Sequence, residues 1–202
     1  LFCRLPFAVD SYFQLLGVTP SLVLDAETLK SRYLELAAEL KGPENEAKAQ
    51  SLHHAYQTLE EIPSRLKYLL QECFQTSPVP MQEVPEDLGD RFMEVGACLK
   101  ATDAMLKQKP PSDAPELLQV VFLGKALNER KTCESLRSAL EGDLQHLEGL
   151  LSGHQVSLES HRQEEGSISR SLVGELTELY HRFTFLGRWK RQLSDRILEL
   201  MI

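Results

Sequence analysis

Cysteine and histidine are the residues of this chain best suited to bind a metal ion or to act as nucleophiles. The four cysteines are Cys3, Cys73, Cys98 and Cys133, and no two of them form a CxxC pair. Structural zinc sites usually place their cysteines in such short-range pairs. We therefore interpret the cysteines as reduced thiols of a cytoplasmic protein and predict no metal site among them.

The histidines also lack the spacing of metal ligands. His53 and His54 are adjacent, so they point in different directions around a helix. His154 and His161 are seven residues apart. That spacing is about 10 Å along a helix at about 1.5 Å per residue, whereas ligands of one ion lie three or four residues apart. The sequence contains no GxSxG, HExxH or glycine-rich phosphate-binding motif, so we predict a protein that is not an enzyme and needs no cofactor.

The composition is that of an acidic globular protein. The chain has 202 residues, of which 42% are hydrophobic and 26% are charged, and its formal net charge is −8 at pH 7. The apolar content is sufficient for a core, and the negative charge argues against binding to nucleic acid or to anionic membranes. No apolar run approaches the roughly 20 residues that cross a bilayer, and the first ten residues lack the features of a signal peptide. We expect a cytoplasmic protein.

Helical periodicity predicts an all-α fold. Asp25 is a good N-cap for a helix whose apolar stripe begins at Leu29. A following helix, EAKAQSLHHAYQTLEE, is expected to end at Pro63, because proline lacks the backbone N–H. A short helix, SYFQLL, precedes them and stops at Gly17, and another, SRLKYLL, comes last. These four helices make up the predicted first domain, residues 1–77.

A proline-rich stretch separates the two halves of the chain. Three prolines within residues 78–85 predict a stiff linker. Residues 86–202 then contain three long helices with apolar stripes, which predict an antiparallel three-helix bundle. The middle helix is expected to bend or break at Gly142, Gly149 and Gly153, because each glycine weakens a helix by about 1 kcal/mol relative to alanine.

The last helix has the most regular apolar pattern of the chain. Its apolar residues recur with a period of about 3.5, which is typical of a bundle seam. Lys190 takes the one seam position that is not apolar. The apolar seam positions are Leu172, Leu176, Leu179, Phe183, Leu186, Leu193, Ile197 and Leu200.

Four segments of the first domain resemble the J-like domain of the HscB family, the co-chaperones of iron–sulfur cluster assembly. They match the family's Tyr-Phe-x-Leu-Leu-Gly opening, Leu-x-x-Arg-Tyr second helix, Ala-Tyr-x-Thr-Leu third helix and Arg-x-x-Tyr-Leu-Leu fourth helix. In this chain they are Tyr12–Gly17, Leu29–Tyr33, Ala55–Leu59 and Arg65–Leu70. Arg91–Val95 and Leu176–Leu193 are similar to the first and last helices of the family's C-terminal bundle. The resemblance therefore covers nearly the whole chain.

The resemblance implies that the first domain binds a chaperone. In the HscB family the J-like domain docks on an ATP-bound DnaK-type chaperone of the HscA class. It does so through a basic second helix and a His-Pro-Asp loop, and it stimulates ATP hydrolysis. Lys30, Arg32 and Lys41 are the corresponding chaperone-binding residues here. The alternative is an ordinary solvated helix face, because Glu35 and Glu39 lie among these cations.

The resemblance also implies that the bundle binds a client, which in the family is the iron–sulfur scaffold protein IscU. Phe92, Met93 and Phe185 are the expected client-binding residues, and the alternative is that they belong to the bundle core. Family members tend to follow the methionine of this helix with leucine and several glutamates, whereas the later positions here are Gly96, Ala97, Lys100 and Ala104. The client is therefore either an IscU-like scaffold or another protein. The middle of the bundle is longer than is usual in the family, and the sequence is compatible with either a monomer or a homodimer.

The family's His-Pro-Asp motif is absent from the chain. Leu40 is followed directly by Lys41, Gly42, Pro43 and Glu44. Either the protein has lost the loop that stimulates ATP hydrolysis, or a mobile loop is missing from this sequence. The first alternative predicts a J-like helical adaptor that acts as a structural interaction protein.

Overall fold

The chain is all α-helical, as predicted. The structure, a computed structural model, describes residues 11–40, 42, 45–72, 74–78, 83–163 and 170–201, with the side chains of residues 157–163 excepted. These ranges contain α1 (Tyr12–Leu15), α2 (Ala26–Glu39), α3 (Glu46–Glu60), α4 (Ile62–Glu72), α5 (Gly89–Leu106), α6 (Glu116–Gln163) and α7 (Arg170–Glu199). A short 3₁₀ turn, Glu86–Leu88, precedes α5. The described ranges contain no strand, and none of their helices combines the length and the hydropathy of a membrane-spanning segment.

The chain divides into two compact units. Unit 1 comprises Leu1–Pro80 and Leu147–Phe183, and unit 2 comprises Met81–His146 and Thr184–Ile202. Each unit thus contains one segment of α6 and one of α7. The division of the chain into a first domain, a linker at 78–85 and a bundle at 86–202 stays a prediction.

Polar side chains fix the ends of the first two helices in unit 1. The Ser11 hydroxyl accepts the Gln14 N–H at 3.3 Å at the start of α1. Gly17 follows α1 with φ +64°, the left-handed conformation that glycine adopts without a Cβ penalty. The Asp25 carboxylate caps α2, as predicted, and accepts hydrogen bonds from the Thr28 hydroxyl and N–H. These hydrogen bonds lower the pKa of Asp25.

The helices α2 and α3 form an antiparallel pair in unit 1. Only residues 40–45 connect them. The Tyr33 ring of α2 stacks on the Tyr56 ring of α3, with centroids 4.4 Å apart, and the Tyr33 hydroxyl lies 3.1 Å from His53 Nδ1. A contact between these residues across so short a connection requires the two helices to run in opposite directions.

The start of α4 differs from the sequence prediction. Pro63 lies in the first turn of α4 and does not directly end α3, which stops at Glu60. Proline is tolerated in a first turn because the N–H groups there have no intrahelical acceptor. The missing N–H of Pro63 also leaves a carbonyl at the end of α3 without a hydrogen-bond donor. The Leu59 carbonyl of α3, four residues earlier, cannot receive the hydrogen bond that a continuing helix would provide.

Arg65 supplies that hydrogen bond from inside the core of unit 1. Its Nη1 donates to the Leu59 carbonyl at 2.6 Å, and its Nε donates to the Leu22 carbonyl at 3.0 Å. The residue is only 4% exposed. Burial lowers the pKa of Arg65 to about 10, against the opposing charge of Glu148, so the guanidinium remains charged at neutral pH. Arg65 therefore ties the end of α3 to the connection between α1 and α2.

Unit 2 is an up-down-up arrangement of α5, the first part of α6 and the last part of α7. Contacts between α5 and α6 join Arg91 to Asp143 and Thr102 to Glu129, so residue numbers rise along one helix as they fall along the other. The Arg196–Asp103 ion pair, at 2.9 Å, joins α7 to α5. The Phe92–Trp189 ring contact lies nearer the start of both helices, so residue numbers rise together and α5 and α7 point the same way.

The predicted seam of α7 is confirmed, with one correction. All eight of its predicted apolar residues are buried. Lys190 does not fill the remaining position, because its side chain is 40% exposed and pairs with Glu141 of α6 at 3.2 Å. The neighbouring Trp189 is buried in its place. The charged end of lysine leaves the seam for water and a carboxylate, while the larger indole ring fills the apolar space.

Of the predicted bend or break in α6, the break does not occur. The helix is continuous through Gly142, Gly149 and Gly153. Each glycine costs about 1 kcal/mol of helix propensity. Burying a leucine side chain gains about 1.5–3 kcal/mol, and Leu140 and Leu147 are both buried on this helix. Packing therefore outweighs the local weakness.

Replacing Gly142 by alanine is expected to raise the free energy of unfolding by about 0.5–1 kcal/mol. Gly142 lies inside α6, and a Cβ there would meet no atom within 4 Å. The matched control is Gly17→Ala, where space is equally free but φ is +64°. That change is expected to lower the free energy of unfolding by about 1 kcal/mol. Urea unfolding followed by circular dichroism measures both, and destabilisation by Gly142→Ala would contradict the prediction.

Candidate protein-binding surfaces

The structure places two of the three predicted chaperone-binding residues on the exposed face of α2. Lys30 and Arg32 are both exposed, whereas Lys41 lies outside the described residues. Arg32 Nη1 pairs with Glu35 Oε2 at 3.1 Å, and both of these side chains are more than half exposed. An exposed pair of this kind contributes little to stability and is screened by salt. Its cation is therefore available to exchange partners.

The charge of α2 is less basic than the resemblance to the HscB family implies. The helix contains Lys30 and Arg32 but also Glu27, Glu35 and Glu39, so its acidic residues outnumber its basic ones. Among the described residues, none carries a carboxylate within ion-pairing distance of Lys30. Lys30 is thus the cation of α2 that is left to meet an acidic partner.

The position of α2 is fixed by the core of unit 1. Leu29 is buried, and the ring stack of Tyr33 on Tyr56 holds the middle of the helix against α3. The Tyr56 hydroxyl donates to Glu60 Oε1 at 2.6 Å, and this hydrogen bond raises the pKa of Tyr56 to about 12. The exposed cations of α2 consequently project from a helix whose buried side is well anchored.

Two of the three predicted client-binding residues lie beside a tryptophan in unit 2, and Met93 follows one of them in the chain. The Phe92 ring centroid of α5 lies 6.1 Å from that of Trp189, and the Phe185 centroid of α7 lies 5.7 Å from it. Phe92 and Met93 are 47% and 69% exposed, and Phe185 is half-buried. We call Phe92, Met93, Phe185 and Trp189 the aromatic patch. Its first two members face solvent, so they are not core residues.

Trp189 is the member of the aromatic patch that the sequence interpretation missed. It is 5% exposed and lies one helical turn after Phe185, so the two side chains share a face of α7. That spacing, together with its being the single tryptophan of the chain, was the available signal. The buried Trp189 ring therefore packs against the more exposed rings of Phe92 and Phe185.

Charges flank the aromatic patch on α5. The Arg91 guanidinium donates to Asp143 at 2.7 Å and to Glu94 at 2.8 Å, and these hydrogen bonds raise the pKa of Arg91. Farther along α5, exposed residues occupy the positions where the resemblance implies leucine and several glutamates: Gly96, Ala97, Lys100 and Ala104. This surface therefore differs in charge from the acidic one that the resemblance implies.

Comparison with solved structures supports the fold. The chain is similar to the chaperone HscB from Vibrio cholerae, with a TM-score of 0.61 and 18% identity over 96% of this chain and 100% of that chain. It is also similar to the human co-chaperone HscB, with a TM-score of 0.59 and 15% identity over 94% of this chain and 83% of that chain. No protein-family model and no curated protein sequence matches the chain. The all-α fold and the predicted resemblance to HscB are confirmed.

Proposed function

We propose that this protein is a co-chaperone that binds a DnaK/HscA-type ATPase through α2 and delivers an iron–sulfur scaffold protein, or another client, through the aromatic patch. The similarity to HscB structures over nearly the whole chain is the observation that carries this proposal. The exposure of Lys30 on α2 and of Phe92 and Met93 on α5 supports the assignment of the two surfaces.

The proposed mechanism is coupled binding without catalysis by this chain. A chain that holds both the ATPase and its client converts their encounter into an intramolecular event. The client's effective concentration at the chaperone rises, and each binding event favours the other to the same extent. No covalent step by the chain's own residues is needed.

Binding to a DnaK/HscA-type chaperone in its ATP state tests this proposal, with Lys30→Glu as the informative variant. The charge reversal is expected to weaken binding by about 1 kcal/mol, roughly fivefold, because an acidic partner surface would now face a like charge. The loss should be larger at low salt, where the Debye length is longer. Lys67→Glu, which reverses an exposed charge on α4, is the matched control. Equal effects of both variants, or no binding by the unmodified chain, would count against the proposal.

A second candidate function is a J-like helical adaptor that binds its partners without stimulating ATP hydrolysis. The direct run from Leu40 to Glu44, without a His-Pro-Asp motif, favours it. So does the excess of acidic residues on α2. Single-turnover ATP hydrolysis by the chaperone separates the two functions, because acceleration by the chain supports the co-chaperone and binding without acceleration supports the adaptor. Sequencing the gene between the codons for Leu40 and Lys41 shows whether the loop exists.

A further inference from the structure

Two cysteines that are far apart in the sequence meet inside unit 2. The Cys98 Sγ of α5 lies 3.2 Å from the Cys133 Sγ of α6, and both thiols are free. Cys133 is fully buried and Cys98 is 6% exposed. Each helix contains one cysteine, and the antiparallel register of α5 and α6 places these two residues opposite each other.

A carboxylate lies close to the two thiols. Glu129 precedes Cys133 by one turn of α6, so both side chains lie on the same face of that helix. One donor atom each from Cys98, Glu129 and Cys133 lies within 4.8 Å of the other two. The Thr102 hydroxyl, one turn after Cys98 on α5, lies 3.2 Å from Glu129 Oε1 and 3.4 Å from Cys133 Sγ.

We propose that Cys98, Cys133 and Glu129 form a binding site for a divalent metal ion that prefers sulfur ligands, with Zn²⁺ as the ion whose chemistry it fits best. Two thiolates and a carboxylate are zinc ligands, whereas Mg²⁺ and Ca²⁺ prefer sites made of oxygen alone. This proposal is independent of the proposed function.

The geometry suits tetrahedral coordination after small side-chain shifts. With Zn–S bonds near 2.3 Å and Zn–O bonds of about 2.0–2.2 Å, two ligand atoms of one zinc ion are roughly 3.5–3.8 Å apart. The sulfurs are 3.2 Å apart, so they must separate by about 0.5 Å to reach the distance between two ligands of one zinc ion. Thr102 acts as a neighbour that orients the carboxylate through its hydrogen bond to Glu129.

The site has a path to solvent. Cys98 and Glu129 line an open groove of about 810 Å³ in unit 2, together with Ala101 and Thr132. A water molecule in that groove can complete the coordination as the fourth ligand, which is the arrangement of sites with three protein ligands. An ion can therefore enter without unfolding of the bundle.

The chemistry of binding is balanced by the release of protons. Each sulfur binds the ion as a thiolate, so each thiol passes its proton to solvent as its S–metal bond forms. The carboxylate binds in its ionised form. A dication with two thiolates and one carboxylate retains one negative charge, which fits a partly solvated site at the edge of a groove.

The test is a Cd²⁺ titration of the full chain carrying Cys3→Ser and Cys73→Ser, under thiol-reducing conditions. These substitutions leave Cys98 and Cys133 as the chain's cysteines. We expect one Cd²⁺ per chain, detected by thiolate-to-metal charge-transfer absorption in the ultraviolet, and displacement of Cd²⁺ by Zn²⁺. Absence of that absorption would overturn the proposal.

Variants at the ligands distinguish a built site from scattered binding. Cys98→Ser is expected to abolish the charge-transfer band of the 1:1 complex. Glu129→Gln keeps both thiols and a similar shape, and it is expected to weaken binding about 10- to 100-fold. Glu134→Gln, which removes a carboxylate paired with Arg130 on the same helix, is the matched control and should bind normally. Unchanged binding by Glu129→Gln, or equal weakening by Glu134→Gln, would overturn the assignment. Because Glu129→Gln retains both sulfurs, the test stands even where Cys98→Ser fails to fold.

Discussion

Replacing Arg65 by methionine is expected to lower the free energy of unfolding by about 3 kcal/mol, because two buried carbonyl groups lose their hydrogen-bond donor. Methionine has a similar length and preserves most of the apolar packing. It cannot donate to the Leu59 carbonyl, which Pro63 also leaves without a helical donor, or to the Leu22 carbonyl. Each orphaned carbonyl costs about 1–3 kcal/mol. The saving from no longer burying a charge offsets part of this loss.

Urea unfolding of Arg65→Met measures this effect, and Arg32→Met is the matched control. Arg32 is an exposed arginine that pairs with Glu35 at the surface, so its loss is expected to cost less than about 0.5 kcal/mol. The difference between the variants should not change between about pH 6 and pH 8. The pKa of Arg65, about 10 in the folded protein, lies above that window, as does its higher unfolded value. A loss for Arg65→Met no greater than for Arg32→Met would contradict the role assigned to Arg65.

The seam of α7 shows what the sequence predicts well. Its period of about 3.5 residues depends only on one helix burying one side, and every predicted apolar position is buried. The exchange of Lys190 for Trp189 at one position was not predictable from spacing. Both residues lie near the seam, and which one turns inward depends on the volume available and on Glu141 being within reach of the lysine.

Arg65 shows why the burial of some core residues cannot be predicted from their residue type. Arginine is rarely buried without a partner, so its burial could not be inferred from its type. The two carbonyl groups that need a donor lie far apart in the sequence. One belongs to Leu59, before the helix interruption at Pro63, and the other to Leu22, between α1 and α2. Only the tertiary structure brings these carbonyls to one side chain. The resemblance identified the segment Arg65–Leu70 without giving the reason for its arginine.

The pairing of Cys98 with Cys133 has the same origin. Local spacing reveals a metal site only where the ligands belong to one turn or one loop. Here the two sulfurs are 35 residues apart and come from facing helices. Their meeting depends on the register between α5 and α6, which the Arg91–Asp143 ion pair also reports. A correct prediction of both helices therefore left this cluster undetected.

The aromatic patch carries the second large expected effect. Substituting both Phe92 and Met93 by alanine is expected to weaken client binding by about 3 kcal/mol, roughly a hundredfold, if the client docks there as proposed. Large apolar side chains that are exposed in the free protein become buried anchors in a complex. Stability should change by less than about 1 kcal/mol, because Phe92 and Met93 are 47% and 69% exposed. The ring contact between Phe92 and Trp189 is the aromatic contact that the substitution removes.

Calorimetric titration with an IscU-like scaffold protein measures that loss, and circular dichroism checks that the double variant remains folded. The matched control replaces Leu117 and Leu118 by alanine, since these leucines are 73% and 55% exposed on α6 and lie outside the aromatic patch. Equal losses in both double variants would indicate nonspecific apolar binding. Full affinity of the Phe92 and Met93 variant would remove the patch from the client site. Loss of helicity in the double variant would instead show that Phe92 and Met93 are core residues, which would contradict their observed exposure.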